Sequence, residues 1–363
     1  MKYKLSEIGK VVGGGTPSTK HSEYYTDSGI PWLTPKDLSG YDKMYISKGG
    51  RDITQEGLEN SSAKLLPANS ILVSSRAPIG YVAIAKNEVA TNQGFKSIIP
   101  NRELVIPEYL YFVMQTSKQD LEQIASGSTF KEVSTKVMSN FEVEIPSLDE
   151  QNKVLDYLLP ITRKIEKNSR INANLLNLAN TLFKHYFPDI NTGTDKIGDY
   201  IKNFDKLRKP LSKKQRSEIP GKYRYIGATS VNDHIDKYNF DGIYLLLGED
   251  GTVQDEYGFP ILQYTFGKFW PNNHAHVLQG KNVSTEWLYL YFSQRNISGI
   301  VTGAVQKKVS QKNMNSLKFK LPDSQELKKF DKIIQPLFSK IRSTKLENYQ
   351  LEELKRVLLT KLF

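Results

Sequence analysis

At 363 residues the chain is too long for one ordinary hydrophobic core, which excludes a single small module and predicts more than one domain. Its 39% hydrophobic and 25% charged residues are the balance of a folded chain, and zero cysteines exclude disulfides, thiolate metal sites and cysteine nucleophiles. The formal net charge of +11 favours a polyanionic partner, while the absence of any apolar run of about 18 residues, or of an apolar segment after MKYKLSEIGK, predicts no membrane contact and a cytoplasmic location.

In chain order, GGGTPSTK at 13–20 lacks the G-x-x-x-x-G-K-[ST] pattern whose backbone amides surround phosphates, so it is read as a turn. Residues 70–100 form short β-runs split by Pro, Gly and Asn. PEYLYFVMQ, from Pro107, is an aromatic helix whose stripe belongs in a core. IPSLDEQ then offers Ser147 as an N-cap with Glu150 three residues on, a capping box opening a long helix. Residues 202–224 hold Lys202, Lys206, Arg208, Lys209, Lys213, Lys214, Arg216, Lys222 and Arg224 against Asp205 and Glu218 alone. With Tyr223 and Tyr225 interleaved, that run has the texture of a phosphate-facing groove. Residues 241–279 return to β-runs, TEWLYLYFSQ from Thr285 is a second aromatic helix, and Asp323 with Glu326 makes a second capping box.

A shift of 176 residues aligns Gly127 with Gly303, Lys131 with Lys307, Val133-Ser134 with Val309-Ser310, Met138 with Met314 and Pro146 with Pro322. The register holds without gaps to Phe187 on Phe363, so the chain is a duplication. It predicts an α+β molecule of two β-rich domains, 1–146 and 191–322, and two helical regions, 147–190 and 323–363. Leu158, Ile161, Ile165, Asn168, Asn172, Leu175, Ala179 and Leu182 step by three and four, as do Ile334, Leu337, Ile341, Thr344, Asn348, Leu351, Lys355 and Leu358. That spacing predicts an antiparallel coiled coil with polar Asn172 and Asn348 selecting its register. Pro160 and Pro336 each remove a donor, which predicts a kink or break. The β-rich parts have diverged: residues 1–146 carry 16 basic and 16 acidic side chains, residues 191–322 carry 19 and 12.

Catalytic patterns are largely missing. There is no Pro-Pro, which excludes the N-P-P-Y motif of amino-methyltransferases, and Pro322-Asp323 with Glu326 and Lys328 imitates a nuclease motif inside a helix cap. His274 and His276 alternate along a strand and could share a metal, but no third ligand accompanies them.

Gly14-Gly15-Thr16-Pro17-Ser18, IPWLTPKDL at 30–38, SILVSSRAPIG at 70–80 and ATNQGF at 90–95 resemble a target recognition domain of a type I restriction–modification specificity subunit. RKPL at 208–211, YRYIGATSVNDHID, FDGIYLLLGEDG and FWPNNHAHVL are similar to another variant of that domain, and the helices resemble the family's spacers, so the resemblance covers essentially the whole chain. It implies a DNA reader without chemistry or cofactor of its own. Such a reader binds an asymmetric bipartite duplex target and positions two modification subunits carrying S-adenosylmethionine, with restriction subunits joining them. Residues expected at DNA are Thr34, Lys36, Ser74, Arg76, Asn92, Gln93 and Lys131 in the first domain. In the second they are Arg208, Lys209, Arg216, Arg224, Lys268, Asn273, His274, Lys307 and Lys308. Arg, Asn and Gln suit base edges, and Lys suits phosphate. The paired helices would act as a ruler between half-sites. The alternatives are a self-contained methyltransferase or nuclease, and a decoy that binds modification subunits without productive DNA recognition.

Overall fold

The computed structural model describes residues 1–127, 131–303 and 306–363. It is mixed α+β and divides into two compact units, Met1–Asn168 with Glu347–Phe363, and Ser169–Leu346. Each unit therefore combines one β-rich region with part of each long helix.

The first unit is built on β1 (Gly9–Gly13), β2 (Tyr45–Ile46), β3 (Ile71–Ser75), β4 (Ile79–Ala85) and β5 (Lys96–Pro100), in the order β1–β5–β3–β4–β2. Strand β3 is buried along its whole length, which is why it reads as a continuous run rather than an alternation. The aromatic helix α1 (Pro107–Thr116) buries Leu110, Phe112 and Met114 in the same core as Ile71, Val73 and Ile84. At the edge, Lys2–Lys4 pairs with Glu142–Glu144 so that Lys2 opposes Glu144 and Lys4 opposes Glu142, a favourable cross-strand charge pattern. The long helix α2 (Leu148–Tyr186) opens on the predicted box: Ser147 Oγ donates to Glu150 Oε2 at 2.9 Å and Ser147 N at 3.0 Å. One turn in, the buried Gln151 donates to the Leu104 and Pro146 carbonyls and accepts from Ile106 N at 2.8 Å, joining helix to domain.

The second unit has β6 (Ile201–Asn203), β7 (Pro220–Ile226), β8 (Val231–Ile235), β9 (Phe240–Gly248), β10 (Leu262–Pro271) and β11 (Ala275–Gly280), in the order β6–β11–β9–β10–β7–β8. Its aromatic helix α3 (Thr285–Ser293) is capped by Ser284 and stacks Trp287 on Tyr291 with centroids 5.7 Å apart. The second long helix is α4 (Ser324–Leu362), where the cap rests on Asp323 Oδ1 accepting from Gln325 N at 2.7 Å. Arg342 of α4 meets the buried Glu286 of α3 at 2.9 Å, and Tyr264 donates to that same carboxylate at 2.6 Å.

Within each unit the long helices pair antiparallel. In the first, Leu158 shares a core with Leu358, and ten residues on, Asn168 donates to Asn348 Oδ1 at 2.9 Å while Asn348 donates to the Ile165 carbonyl. In the second, Thr344 donates to Asn172, and Phe183 lies edge-on to Phe330. The offset of 176 carries Asn168 onto Thr344 and Asn172 onto Asn348, so these two polar contacts are one interaction duplicated. Leu158, Ile165, Ile334 and Ile341 are buried, and Ile161, Leu175, Leu182, Leu337, Leu351 and Leu358 are half-buried. The largest fully buried side chains on these helices are Phe183, Phe330 and Phe338, which the stepwise pattern passed over. Lys355, the departure from an apolar stripe, lays its ammonium 5.3 Å over the Phe112 ring. Burial lowers its pKa, and Glu166 and Glu352 oppose that shift.

The expected break at Pro160 and Pro336 does not occur: both helices run through as single 39-residue elements. Both prolines are exposed, as are Asp156 and Lys332, whose carbonyls lose their donors and can turn to water. His274 and His276 do not converge on a metal either. Asp205, Glu249 and the buried His276 bring ligand atoms within 4.8 Å of one another. However, His276 Nδ1 lies 2.6 Å from Asp205 Oδ2 and Nε2 lies 2.8 Å from the Val309 carbonyl. Both ring nitrogens are thus already engaged, and Arg208 brings a cation to the same group: it reaches Glu249 at 2.6 Å and the Ala275 carbonyl at 2.7 Å. Burial alone would raise the Asp205 pKa. The hydrogen bond and charge of His276, with Val277 N and Asn203, outweigh it and hold that carboxyl below the ordinary range.

Two stability predictions follow from these polar contacts. Asn348→Ala removes two interhelix hydrogen bonds and leaves Asn168 only its bond to Glu347 Oε2 at 2.8 Å, and should cost about 1–2 kcal/mol by urea denaturation, whereas Asn168→Leu with Asn348→Leu should cost less than the two single changes summed. Arg208→Ala takes the guanidinium from the buried Asp205 and the half-buried Glu249 and should cost about 3 kcal/mol. Because the Asp205 pKa is depressed in the folded chain, its contribution is complete above the unfolded carboxylate value near 3.9 and drains away as pH falls below it. Thermal melts between pH 6 and 2.5 should show that acid loss in the wild type and a smaller one in Asp205→Asn.

Candidate nucleic-acid interface

In the first unit five loops converge on one edge of the domain. Gly14 and Gly15 enter it under steric compulsion, since a Cβ on Gly14 would strike the Asn92 carbonyl and one on Gly15 would strike Ala63 N. Their amides are spent on the Phe95 and Thr91 carbonyls and so do not form a phosphate cradle; the turn expected over 13–20 is confined to residues 19–20, residues 14–18 being irregular backbone held to the 91–95 segment. Asn92 N donates to the Leu33 carbonyl, bringing the 34–38 loop alongside, and Val133 N donates to the Ser75 carbonyl, bringing in the 131–133 segment.

That edge gathers most of the first domain's candidates. Gln93 is exposed and hydrogen-bonded to Thr16, and Lys36 and Lys131 are exposed. Asn92 accepts from Gly94 N at 2.9 Å through Oδ1 and so shapes the loop that presents Gln93. Arg76 is half-buried with Nη1 3.2 Å from Glu132, a carboxylate that also takes the buried Lys96 at 3.0 Å. Two residues serve the fold instead. Thr34 caps a short helical turn, its N and Oγ1 both donating to Asp37 Oδ2. Ser74 is fully buried, donating to the Pro78 carbonyl and accepting from Tyr81 N, and so has no surface for DNA.

The second unit separates its candidates into two places. Near Glu249 lie Arg208, Asn273, His274, Lys307 and Lys308: His274 is exposed and paired with Asp250, Lys308 sits 3.8 Å from Glu249, and Gly251 N donates to the Lys307 carbonyl. Arg208 is a correction, since its guanidinium is the inward-facing cation described above and cannot read a base edge. Arg216 is another: Nε meets Asp233 at 3.1 Å, Nη1 meets the Leu211 carbonyl at 2.7 Å, and the group lies over the Tyr225 ring. Lys209 is exposed, and its carbonyl accepts from Trp270 Nε1.

The other place is the β7–β8–β10 face. Lys268 stands 4.5 Å over Tyr238, Tyr238 lies 5.0 Å from Tyr223, and Lys222 stands 5.4 Å over Tyr223. Arg224 adjoins this face with Nη2 donating to the Phe266 carbonyl at 2.6 Å. Tyr238, 41% exposed, was not singled out from the sequence; its only signal was the basic neighbour Lys237. Tyr225, by contrast, is 2% exposed and belongs to the core. Exposed rings alternating with ammonium groups suit a phosphate backbone and the faces of bases.

The family model described as the type I restriction modification DNA specificity domain matches residues 1–177 and again 194–356. The type I restriction enzyme MjaIX specificity subunit of Methanocaldococcus jannaschii is 31% identical over 99% of this chain and 91% of its own length. The EcoR124I/EcoR124II specificity subunit of Escherichia coli is 31% identical over 42% of this chain and 39% of its own. The crystal structure of a type I restriction–modification S subunit from M. genitalium shares the fold, with a TM-score of 0.59 at 15% identity over 100% of this chain and 96% of that one. No helix among the described residues is long and apolar enough to cross a membrane. With two specificity-domain matches, one to each copy of its internal repeat, the chain belongs to the family of type I restriction–modification specificity subunits.

Proposed function

We propose that the chain reads a bipartite, asymmetric duplex DNA target for a type I restriction–modification complex, each β-rich region taking one half-site. Methyl transfer and cleavage then belong to partners: two modification subunits, which carry S-adenosylmethionine, and restriction subunits. The observation that carries this reading is where the two copies agree and where they do not. Their reading edges differ in nearly every polar side chain, as two different half-sites require. At a few exposed positions their helices keep the same residue, where neither folding nor the seam demands it.

Leu178 and Leu354 are such a pair, related by the offset of 176 and each 47% exposed. Lys153 and Lys329 are another, both exposed. One exposed leucine needs no explanation, but the same one kept twice suits two identical partners docking on two like faces.

The test is reconstitution. The purified chain should neither cut nor methylate DNA, and should direct adenine methylation to one bipartite sequence once a cognate modification subunit is added; methyl transfer by the chain alone would overturn the reading. Leu178→Glu with Leu354→Glu should leave the melting temperature within about 2 °C of wild type, because exposed substitutions rarely exceed about 0.5 kcal/mol. The same pair should reduce co-purification of the modification subunit at least tenfold.

A further inference from the structure

Because the chain is a duplication, it contains its own comparison, and the segment joining each reading edge to its helix is informative. Between Gly127 and Met138 the first copy shares Gly127, Lys131, Val133, Ser134, Lys136 and Met138 with Gly303, Lys307, Val309, Ser310, Lys312 and Met314. Most of these identities have a reason in the fold. Gly127 and Gly303 hold φ of 128° and 91°, which disfavour a side chain. Val133, Val309, Met138 and Met314 are fully buried. Ser134 and Ser310 are N-caps, accepting from Val137 N and Asn313 N.

The lysines have no such reason. Lys131, Lys136, Lys307 and Lys312 are all exposed, and none of their ammonium groups makes a hydrogen bond or ion pair among the described residues. Their neighbours meanwhile have changed sign. Glu132, held by Lys96 and Arg76, stands where the second copy has Lys308, which pairs with Glu249. Selection on local packing would have let the lysines drift as their neighbours did. A group that does not differ between two otherwise different half-sites explains their retention, and in duplex DNA that group is the phosphate.

Placement favours DNA over a protein partner. Lys131 is two residues from Val133, whose amide bonds Ser75 beside Arg76, and Lys307 is bonded through its carbonyl to Gly251, next to the Asp250 that pairs with His274. Both lysines therefore stand among the divergent polar loops rather than on the helices.

We propose that Lys131 with Lys136, and Lys307 with Lys312, are matched phosphate clamps, one per half, that bind duplex DNA without regard to sequence and leave discrimination to the divergent loops. This rests on the DNA-reading proposal above but is tested separately from it. The full chain is titrated with a mixed-sequence 40-base-pair duplex over a range of KCl, and the slope of log K against log [KCl] is read. Each lost phosphate contact should flatten that slope by about 0.9. Lys131→Ala with Lys307→Ala should therefore flatten it by about 1.8, equally on any duplex and with an unchanged melting temperature, and adding Lys136→Ala and Lys312→Ala should flatten it further. Lys167→Ala with Lys361→Ala, the same loss of charge on exposed helix positions, should leave the slope in place.

An unchanged slope in the clamp variants would overturn the clamps, as would a wild type with no salt-dependent binding. A loss confined to one duplex sequence would assign these lysines to base reading. Intact DNA binding with loss of modification-subunit co-purification would assign them to the protein partner. A wild type that binds with the expected slope yet never directs methylation to one sequence would instead sink the reading function and leave the clamps standing.

Discussion

The carboxamide contact between Asn168 and Asn348, with its duplicate between Thr344 and Asn172, fixes how everything else is assembled. An apolar seam alone would tolerate sliding by a heptad at modest cost. A buried amide that must find one partner does not, because every other register leaves it unsatisfied. By pinning α2 to α4 the contact obliges each unit to draw on residues nearly two hundred positions apart. The first unit closes only when Glu347–Phe363 returns to it, and Leu358, Leu359 and Leu362 complete the core begun by Leu155 and Leu158.

Around this fixed seam the other faces of the helices adapted to their own domains. Glu166 and Arg342 occupy equivalent positions with opposite charge: Glu166 accepts from Met44 N at 2.7 Å, and Arg342 joins Glu286 and Tyr264. Gln151, which joins α2 to the start of α1, has Leu327 as its counterpart, half-buried against the second core. The duplication thus kept most seam positions apolar and kept the polar contact that pins the register, while it released side chains that face a domain, which is how one helical frame carries two different readers.

What the sequence made legible was local or periodic. The Ser147 capping box, the aromatic helices, the β-runs and much of the seam spacing each depend on neighbours within a few residues and appear in the structure, whereas the second box is reduced to Asp323 accepting from Gln325 N and the seam also takes in Phe183, Phe330 and Phe338. The breaks at Pro160 and Pro336 failed to appear because exposure, a tertiary property, lets water take over the freed carbonyls. At the interface, residue type was a poor guide wherever the partner is remote in sequence. Arg208 and Arg216 have the chemistry of base readers, yet Glu249 and Asp233, 41 and 17 positions away, turn them inward. Ser74 has a hydroxyl suited to DNA but is a buried strand residue that spends it on the Pro78 carbonyl. Tyr238 carried almost no signal, because its importance comes from Lys268 and Tyr223, which sheet pairing brings beside it.

The same observations revise what the charge balance means. Residues 191–322 hold 19 basic and 12 acidic side chains against 16 and 16 in residues 1–146, which suggests that only the second half is built for a polyanion. Pairing decides which of those cations are available. Arg208, Arg216 and Lys308 are answered by Asp205, Glu249 and Asp233 inside the second unit, which leaves its basic excess unchanged but engages those three cations. In the first unit one carboxylate, Glu132, answers both Arg76 and Lys96, and Lys36 and Lys131 remain exposed on the same edge. At a surface facing DNA the relevant quantity is the set of cations whose counterion can be displaced by phosphate, and a cation already satisfied by a buried carboxylate is not among them. Counted that way, a formally neutral domain still offers phosphate cations with displaceable counterions, Lys36 and Lys131 among them, although the second domain keeps the larger excess.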